Sequence, residues 1–232
     1  MLDIGLANLE DLRYEKKFVI SNLSCGEIES IIKHNPAMFL ELYPKREVSN
    51  IYLDYLGMDN FQDSVNGISQ RLKIRIRWYG EVFGEIKKPI LELKIKRDEI
   101  GKKLLFPLAP FKLDRNFSAE LLGEVFEKSN LPGWLSHRLK LLSPTLLNHY
   151  TRKYFTSADK KVRITFDFNL WFVKIGRRNN LFKRVEFDKE NKIIELKYSD
   201  KDGDRVSQIT NHFPFRLSRS SKYVMGINLL EF

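Results

Sequence analysis

Residues 71–78, Arg-Leu-Lys-Ile-Arg-Ile-Arg-Trp, change character at every step. Arg71, Lys73, Arg75 and Arg77 fall on one side, and Leu72, Ile74, Ile76 and Trp78 on the other. A backbone that turns successive side chains to opposite faces is a β-strand, so the segment predicts one charged and one apolar surface. The same period of two recurs at Arg13-Glu15-Lys17, Glu92-Lys94-Lys96, Arg163-Thr165-Asp167 and Glu195-Lys197. Residues 188–192 predict a hairpin turn between strands over 181–187 and 193–198, and residues 157–161 another between 149–156 and 162–172. Helix signals are fewer. Ser24 and Glu27 form a capping-box pattern ahead of Ile28, Ile31 and Ile32, and Ser118 precedes Leu121, Leu122, Val125 and Phe126 at helical spacing. After Pro214, Leu217, Val224, Ile227 and Leu230 mark a terminal helix that Gly226 interrupts. Many strands and few helices predict a mainly-β α+β fold, with an antiparallel sheet that closes or nearly closes.

Composition narrows the class. The 232 residues are 43% hydrophobic, enough for a real core, which argues against a disordered chain. No linker or internal repeat divides the sequence, so a single domain over 1–232 is expected. One cysteine, Cys25, leaves no internal disulfide, and His34, His137, His149 and His212 have no zinc-site spacing. The N-terminus lacks a signal-peptide pattern, and the apolar stretch at 104–111 is too short to span a bilayer. A soluble cytoplasmic protein is expected.

Charge changes the picture more. Forty Lys and Arg against thirty Asp and Glu give +10, which calls for an anionic partner. The polar strand faces carry Arg13, Lys17, Arg71, Lys73, Arg75, Arg77, Lys94, Lys96, Arg152, Arg163, Arg184 and Lys197. Against these twelve stand five acids, Glu15, Glu92, Asp167, Glu186 and Glu195, so the faces account for +7. Solvated faces mix the signs, because like charges opposite one another destabilise a sheet. A barrel whose apolar faces pack outward on helices, and whose charged faces line a tunnel, would recover that cost when an anion enters.

The ordered motifs carry a resemblance. Arg13-Tyr-Glu-Lys-Lys-Phe18, Ile51-Tyr-Leu-Asp54, Lys73-Ile-Arg-Ile-Arg-Trp-Tyr79, Leu91-Glu-Leu-Lys-Ile-Lys96, Tyr150-Thr-Arg152, Val162-Arg-Ile-Thr-Phe-Asp167, Ile194-Glu-Leu-Lys197 and Ser221-Lys-Tyr223 follow one another from about residue 12 to 230. Together they resemble the VTC (vacuolar transporter chaperone) polyphosphate polymerase domain, a branch of the CYTH-like triphosphate tunnel metalloenzymes. The resemblance implies an eight-stranded antiparallel closed tunnel with a C-terminal helix. It implies that Arg75, Arg77, Lys94, Arg152 and Lys222 grip the reacting phosphates. Lys17, Lys73, Lys96, Tyr150, Arg163 and Lys197 would line the substrate path, and Glu195 would hold Mn2+ or Mg2+. It also implies nucleoside triphosphate and polyphosphate as ligands, and a membrane protein as neighbour. The chain departs from the pattern at Lys96, where a histidine is expected, although the positive charge is kept.

Phosphoryl transfer needs positioning and charge neutralisation more than a protein nucleophile, which suits a chain without a Ser-His-Asp set. Transfer of a γ-phosphate onto a polyphosphate chain is the expected reaction. A triphosphatase, a non-catalytic polyphosphate-binding module and a nucleic-acid binder remain alternatives, the last without a recognisable binding module.

Overall fold

The structure is a computed structural model that describes residues 13–97, 100–178 and 180–230. The N-terminal segment read for a signal peptide, and the Arg13 side chain, lie outside the described residues.

Among the described residues eleven strands are present: β1 (Arg13–Ile20), β2 (Leu40–Asp54), β3 (Arg71–Tyr79), β4 (Gly84–Ile86), β5 (Ile90–Arg97), β6 (Ile100–Pro107), β7 (Phe111–Leu113), β8 (Ser143–Thr156), β9 (Arg163–Lys174), β10 (Val185–Asp188) and β11 (Lys192–Ser199). Six α-helices accompany them: α1 (Cys25–Lys33), α2 (Asp59–Val65), α3 (Ala119–Lys128), α4 (Gly133–Leu139), α5 (Gly203–Asn211) and α6 (Lys222–Leu229). Eight strands form one antiparallel path in the order β1-β11-β9-β8-β2-β3-β5-β6. The mainly-β α+β fold and its eight-strand path match the sequence reading. The path is open rather than closed, since β1 and β6 are not ladder neighbours among the described residues. The sheet curls until Lys94 of β5 meets Glu15 of β1 at 2.9 Å, so a side-chain ion pair crosses the seam.

Alternation sets what each face buries. The convex side carries two apolar clusters: Ile74, Ile76, Trp78, Leu91 and Leu93 pack with Leu122 and Val125 of α3 and Leu135 and Leu139 of α4. Phe18, Phe166, Ile194 and Leu196 pack with Ile28 and Ile32 of α1 and Val206 and Ile209 of α5. The expected caps form: Ser24 and Glu27 complete the capping box of α1, and Ser118 caps α3.

Two elements depart from the sequence reading. β10 does not form a hairpin with β11. Both pair antiparallel with β9, β10 at residues 170–173 and β11 at 163–167, so residues 189–191 are a jog along one edge. Asp188 holds that jog by accepting from the Asn191 amide at 2.9 Å. The terminal helix is α6, and it begins at Lys222, leaving Leu217 outside it. It packs within the concave side, where Tyr223, Ile227 and Leu230 meet Val48, Tyr52, Leu146, Tyr150 and Phe172. Gly226 is what permits this approach. A Cβ there would lie 2.4 Å from Phe172 Cδ1 and 2.7 Å from Leu146 Cδ2. No helix among the described residues is long and apolar enough to cross a membrane.

Candidate functional site

The rest of the concave side is charged. On β3 and β5, cross-strand register sets Arg75 opposite Glu92 and Lys73 opposite Lys94. Glu92 serves three cations at once: Arg75 at 2.6 Å, Arg77 at 3.6 Å and Lys103 of β6 at 2.6 Å. Burial would raise its carboxyl, but Arg75, Arg77 and Lys103 outweigh that and hold it at about 2. Glu92 therefore orients neighbouring bases. Arg77, itself buried, is fixed from two more sides. It donates to Asn50 Oδ1 at 2.8 Å and to the Tyr150 hydroxyl at 3.0 Å. Two of its guanidinium directions are spent on the protein, which presets its orientation.

The opposite wall is built on β8, β9, β11, β1 and the first turn of α6. Arg152 forks onto Asp167, Nε to Oδ1 at 2.5 Å and Nη2 to Oδ2 at 2.7 Å. Lys222 reaches the same carboxylate at 2.6 Å and lies 4.7 Å from the centre of the Tyr150 ring. Burial opposes ionisation of Asp167, yet Arg152 and Lys222 hold it below the usual carboxylate range. Lys17 bridges Glu195 at 3.2 Å and Glu15 at 3.6 Å. Lys197 meets Glu195 at 3.3 Å. Lys73 donates to Ser221 Oγ at 2.8 Å, joining β3 to the start of α6.

Nine cations (Lys17, Lys73, Arg75, Arg77, Lys94, Lys103, Arg152, Lys197 and Lys222) thus stand around four carboxylates (Glu15, Glu92, Asp167 and Glu195), an excess of five. Burying like charges without a counter-charge is costly, so this face suits a polyanion. Among the described residues, no three His, Cys, Asp or Glu side chains group as metal ligands. Glu195 still differs from the other acids. Asp167 and Glu92 have contacts at 2.5–2.7 Å, whereas Glu195 has only long ones: Lys17 and Lys197, Thr165 Oγ1 at 3.4 Å, Arg152 at 3.8 Å and Lys222 at 3.9 Å. A buried, ionised carboxylate without a tight partner fits a divalent cation whose remaining ligands come from phosphate oxygens.

Not every expected side chain joins this set. Lys96 stands in register with Arg71, one step further along β5 than Lys94, which belongs to the set although it is half-exposed at the seam. Arg163, paired in register with Lys197, is exposed at the end of β9. Arg184 and Glu186 pair with each other in solvent at 3.0 Å. Sequence reading missed Lys103, Asn50 and Ser221 as members. Lys103 sits in a Lys-Leu-Leu-Phe run with no alternation to flag it, whereas Ser221 lay within a quoted motif. On the convex side, His149 contacts Glu47 at 2.9 Å and Ser49 Oγ at 3.0 Å, an arrangement like a nucleophile's triad. Ser49 is fully buried there, so its hydroxyl meets no substrate.

With this geometry established, known proteins give it context. The family model described as "VTC domain" matches residues 12–231. No curated protein matches the sequence. Solved structures do. A protein of Hippeastrum, described as a "putative adenylyl cyclase" with "a dominant triphosphatase activity", aligns with a TM-score of 0.52 at 14% identity over 94% of this chain and 95% of its own. A "putative adenylate cyclase" from Bacillus halodurans gives 0.54 at 11% identity, covering 90% and 94%. The PH1819 protein of Pyrococcus horikoshii gives 0.50 at 16% identity, covering 94% and 100%. These likenesses concern the fold.

Proposed function

The chain belongs to the VTC-domain family, and from that premise we propose that it is a polyphosphate polymerase that transfers the γ-phosphate of a nucleoside triphosphate to a polyphosphate end. The observation that carries this reading is the excess of cations on one concave face, where nine meet four carboxylates among the described residues. Arg75, Arg77, Arg152 and Lys222 bind and orient the reacting phosphates, and Lys17, Lys73, Lys103 and Lys197 hold the flanking ones. Arginines suit this because their planar fork matches two phosphate oxygens. Glu195 would hold a divalent cation, Mn2+ or Mg2+, which neutralises charge on the transferring group. The acceptor needs no protein base, since a terminal phosphate with a second pKa of about 6 is already largely ionised at neutral pH.

Transfer is favoured over hydrolysis by the state of the acids. Activating water calls for a base poised near the working pH. Glu92 is held at about 2, and Asp167 and Glu195 are held below their usual range, Glu195 by Lys17, Lys197, Lys222 and Arg152 against the effect of burial. All three are poor bases, whereas an ionised phosphate attacks unaided. The test is incubation of pure protein with ATP and Mn2+, followed by electrophoresis. Chains that lengthen with time are expected. Orthophosphate alone would make the protein a triphosphatase, and tight polyphosphate binding without turnover would make it a binding module.

A further inference from the structure

Beside the charged face lies a cluster that phosphate chemistry does not explain. Arg46 of β2 stands in register with Arg152 of β8, so both project to the concave side. The Arg46 guanidinium carbon lies 5.0 Å from the Tyr43 ring centre, 5.6 Å from Tyr154 and 5.8 Å from Tyr79. Tyr43 and Tyr154 meet edge to face at 5.8 Å. The Tyr154 ring is shared, because the Arg152 guanidinium carbon also lies 6.0 Å from its centre. Tyr79 continues the Arg75–Arg77 side of β3 at the strand's end and is 49% exposed; Tyr43 is 46% exposed. Among the described residues, no carboxylate lies within ion-pair distance of Arg46. The register of β2 against β8 slips on both sides of Tyr43, and such bulges re-aim side chains beside functional sites.

We propose that Arg46, Tyr43, Tyr79 and Tyr154 form a nucleobase-binding cup at the mouth of the basic face. This rests on the nucleoside triphosphate reading above and adds where the base goes. Flat rings half open to solvent give a planar base a surface to stack on, and the guanidinium adds cation–π attraction. Cup and phosphate grip are contiguous through Tyr154 and Arg152. A base on the cup would thus direct its triphosphate inward toward Arg152 and Arg77, while inorganic tripolyphosphate would make no use of it.

The experiment compares calorimetric binding of ATP and of inorganic tripolyphosphate, both with Mg2+, to wild type, Arg46→Ala, Tyr79→Ala and Tyr79→Phe. Stacking on an aromatic side chain predicts a loss of about tenfold in ATP affinity for Tyr79→Ala. Tripolyphosphate affinity should stay unchanged, and Tyr79→Phe, which keeps the ring, should bind ATP like wild type. Arg46→Ala should follow Tyr79→Ala. Equal losses for both probes would make the cluster part of the phosphate path, and no loss for either would leave it without a ligand role; each overturns the cup. If wild type binds tripolyphosphate but not ATP, the cup alone falls. Binding of neither probe would sink the functional reading along with it.

Discussion

The concave side of the sheet is two regions with opposite chemistry, and the boundary between them runs through three consecutive residues. Ser221 accepts from Lys73, Lys222 reaches Asp167, and Tyr223 stacks on Tyr52 with ring centres 4.8 Å apart. On one side of that boundary cations outnumber carboxylates; on the other α6 fills the curl with apolar side chains. The apolar half is filled by the chain's own side chains. Even the Tyr223 hydroxyl donates to buried Asp54 at 2.6 Å, and Asp54 in turn accepts from the amides of Asn60 and Phe61 at the start of α2. The charged half is balanced only by a ligand. One half therefore holds the fold together, and the other reports what the fold is for.

The largest expected effect separates the two halves most clearly. Glu195→Ala should lower Mn2+-dependent turnover by about a thousandfold, roughly 4 kcal/mol, because it removes the loosely held carboxylate that faces the cations. The circular dichroism spectrum should remain native. Full activity in this variant would remove Glu195 from metal binding.

Gly226→Ala probes the other half. Its new methyl would press on Phe172 and Leu146, both fully buried, and overpacking of this kind costs about 1–3 kcal/mol. Thermal unfolding should show a clearly lowered midpoint while tripolyphosphate affinity changes little. An unchanged midpoint would mean that α6 is not seated tightly in the curl.

Arg75→Ala returns to the charged wall with a smaller effect. A tenfold rise in nucleotide KM or fall in kcat, about 1.4 kcal/mol, is expected, since Arg77 and Lys103 still surround Glu92. Steady-state kinetics indistinguishable from wild type would place Arg75 off the substrate wall.

The same contrast explains what the sequence reveals. Alternation identifies the faces wherever the strand is regular, as in Arg71–Trp78, and the caps at Ser24 and Ser118 mark α1 and α3 correctly. It fails where the phase slips. In β9, Arg163, Thr165 and Asp167 share the concave side, then a bulge near Asn169, whose φ is 53°, turns Leu170 and Phe172 inward instead. Nothing in the local pattern announces that extra residue. Nor can periodicity say that α6 sits inside the curl rather than outside it; the clue was Gly226, which read as an interruption and proved to be a close approach. Lys103 and the Arg46 cup were hidden for the same reason, since β6 and the start of β2 lack clean alternation.

The smallest expected effect concerns a proton. Without ligand, burial lowers the Lys73 ammonium to about 7, helped by Lys17, Lys94, Arg71 and Arg75. A polyphosphate placed among these cations favours the charged form and raises that value again. Below pH 7 Lys73 is protonated with or without ligand, and its attraction is fully available. Above pH 7 binding must first take up a proton, so its contribution to affinity falls as the pH rises toward the value in the complex. At pH 8 the free side chain is about one-tenth protonated, and binding should draw in close to one proton. Calorimetry of tripolyphosphate binding in buffers of different ionisation enthalpy measures this uptake. Lys73→Arg keeps the charge but stays protonated throughout, so its uptake should be smaller by about that proton; the ligand's own titration cancels in the difference. Equal uptake by the two proteins would mean that Lys73 is already charged before the anion arrives, and that the basic half is less strained than its geometry implies.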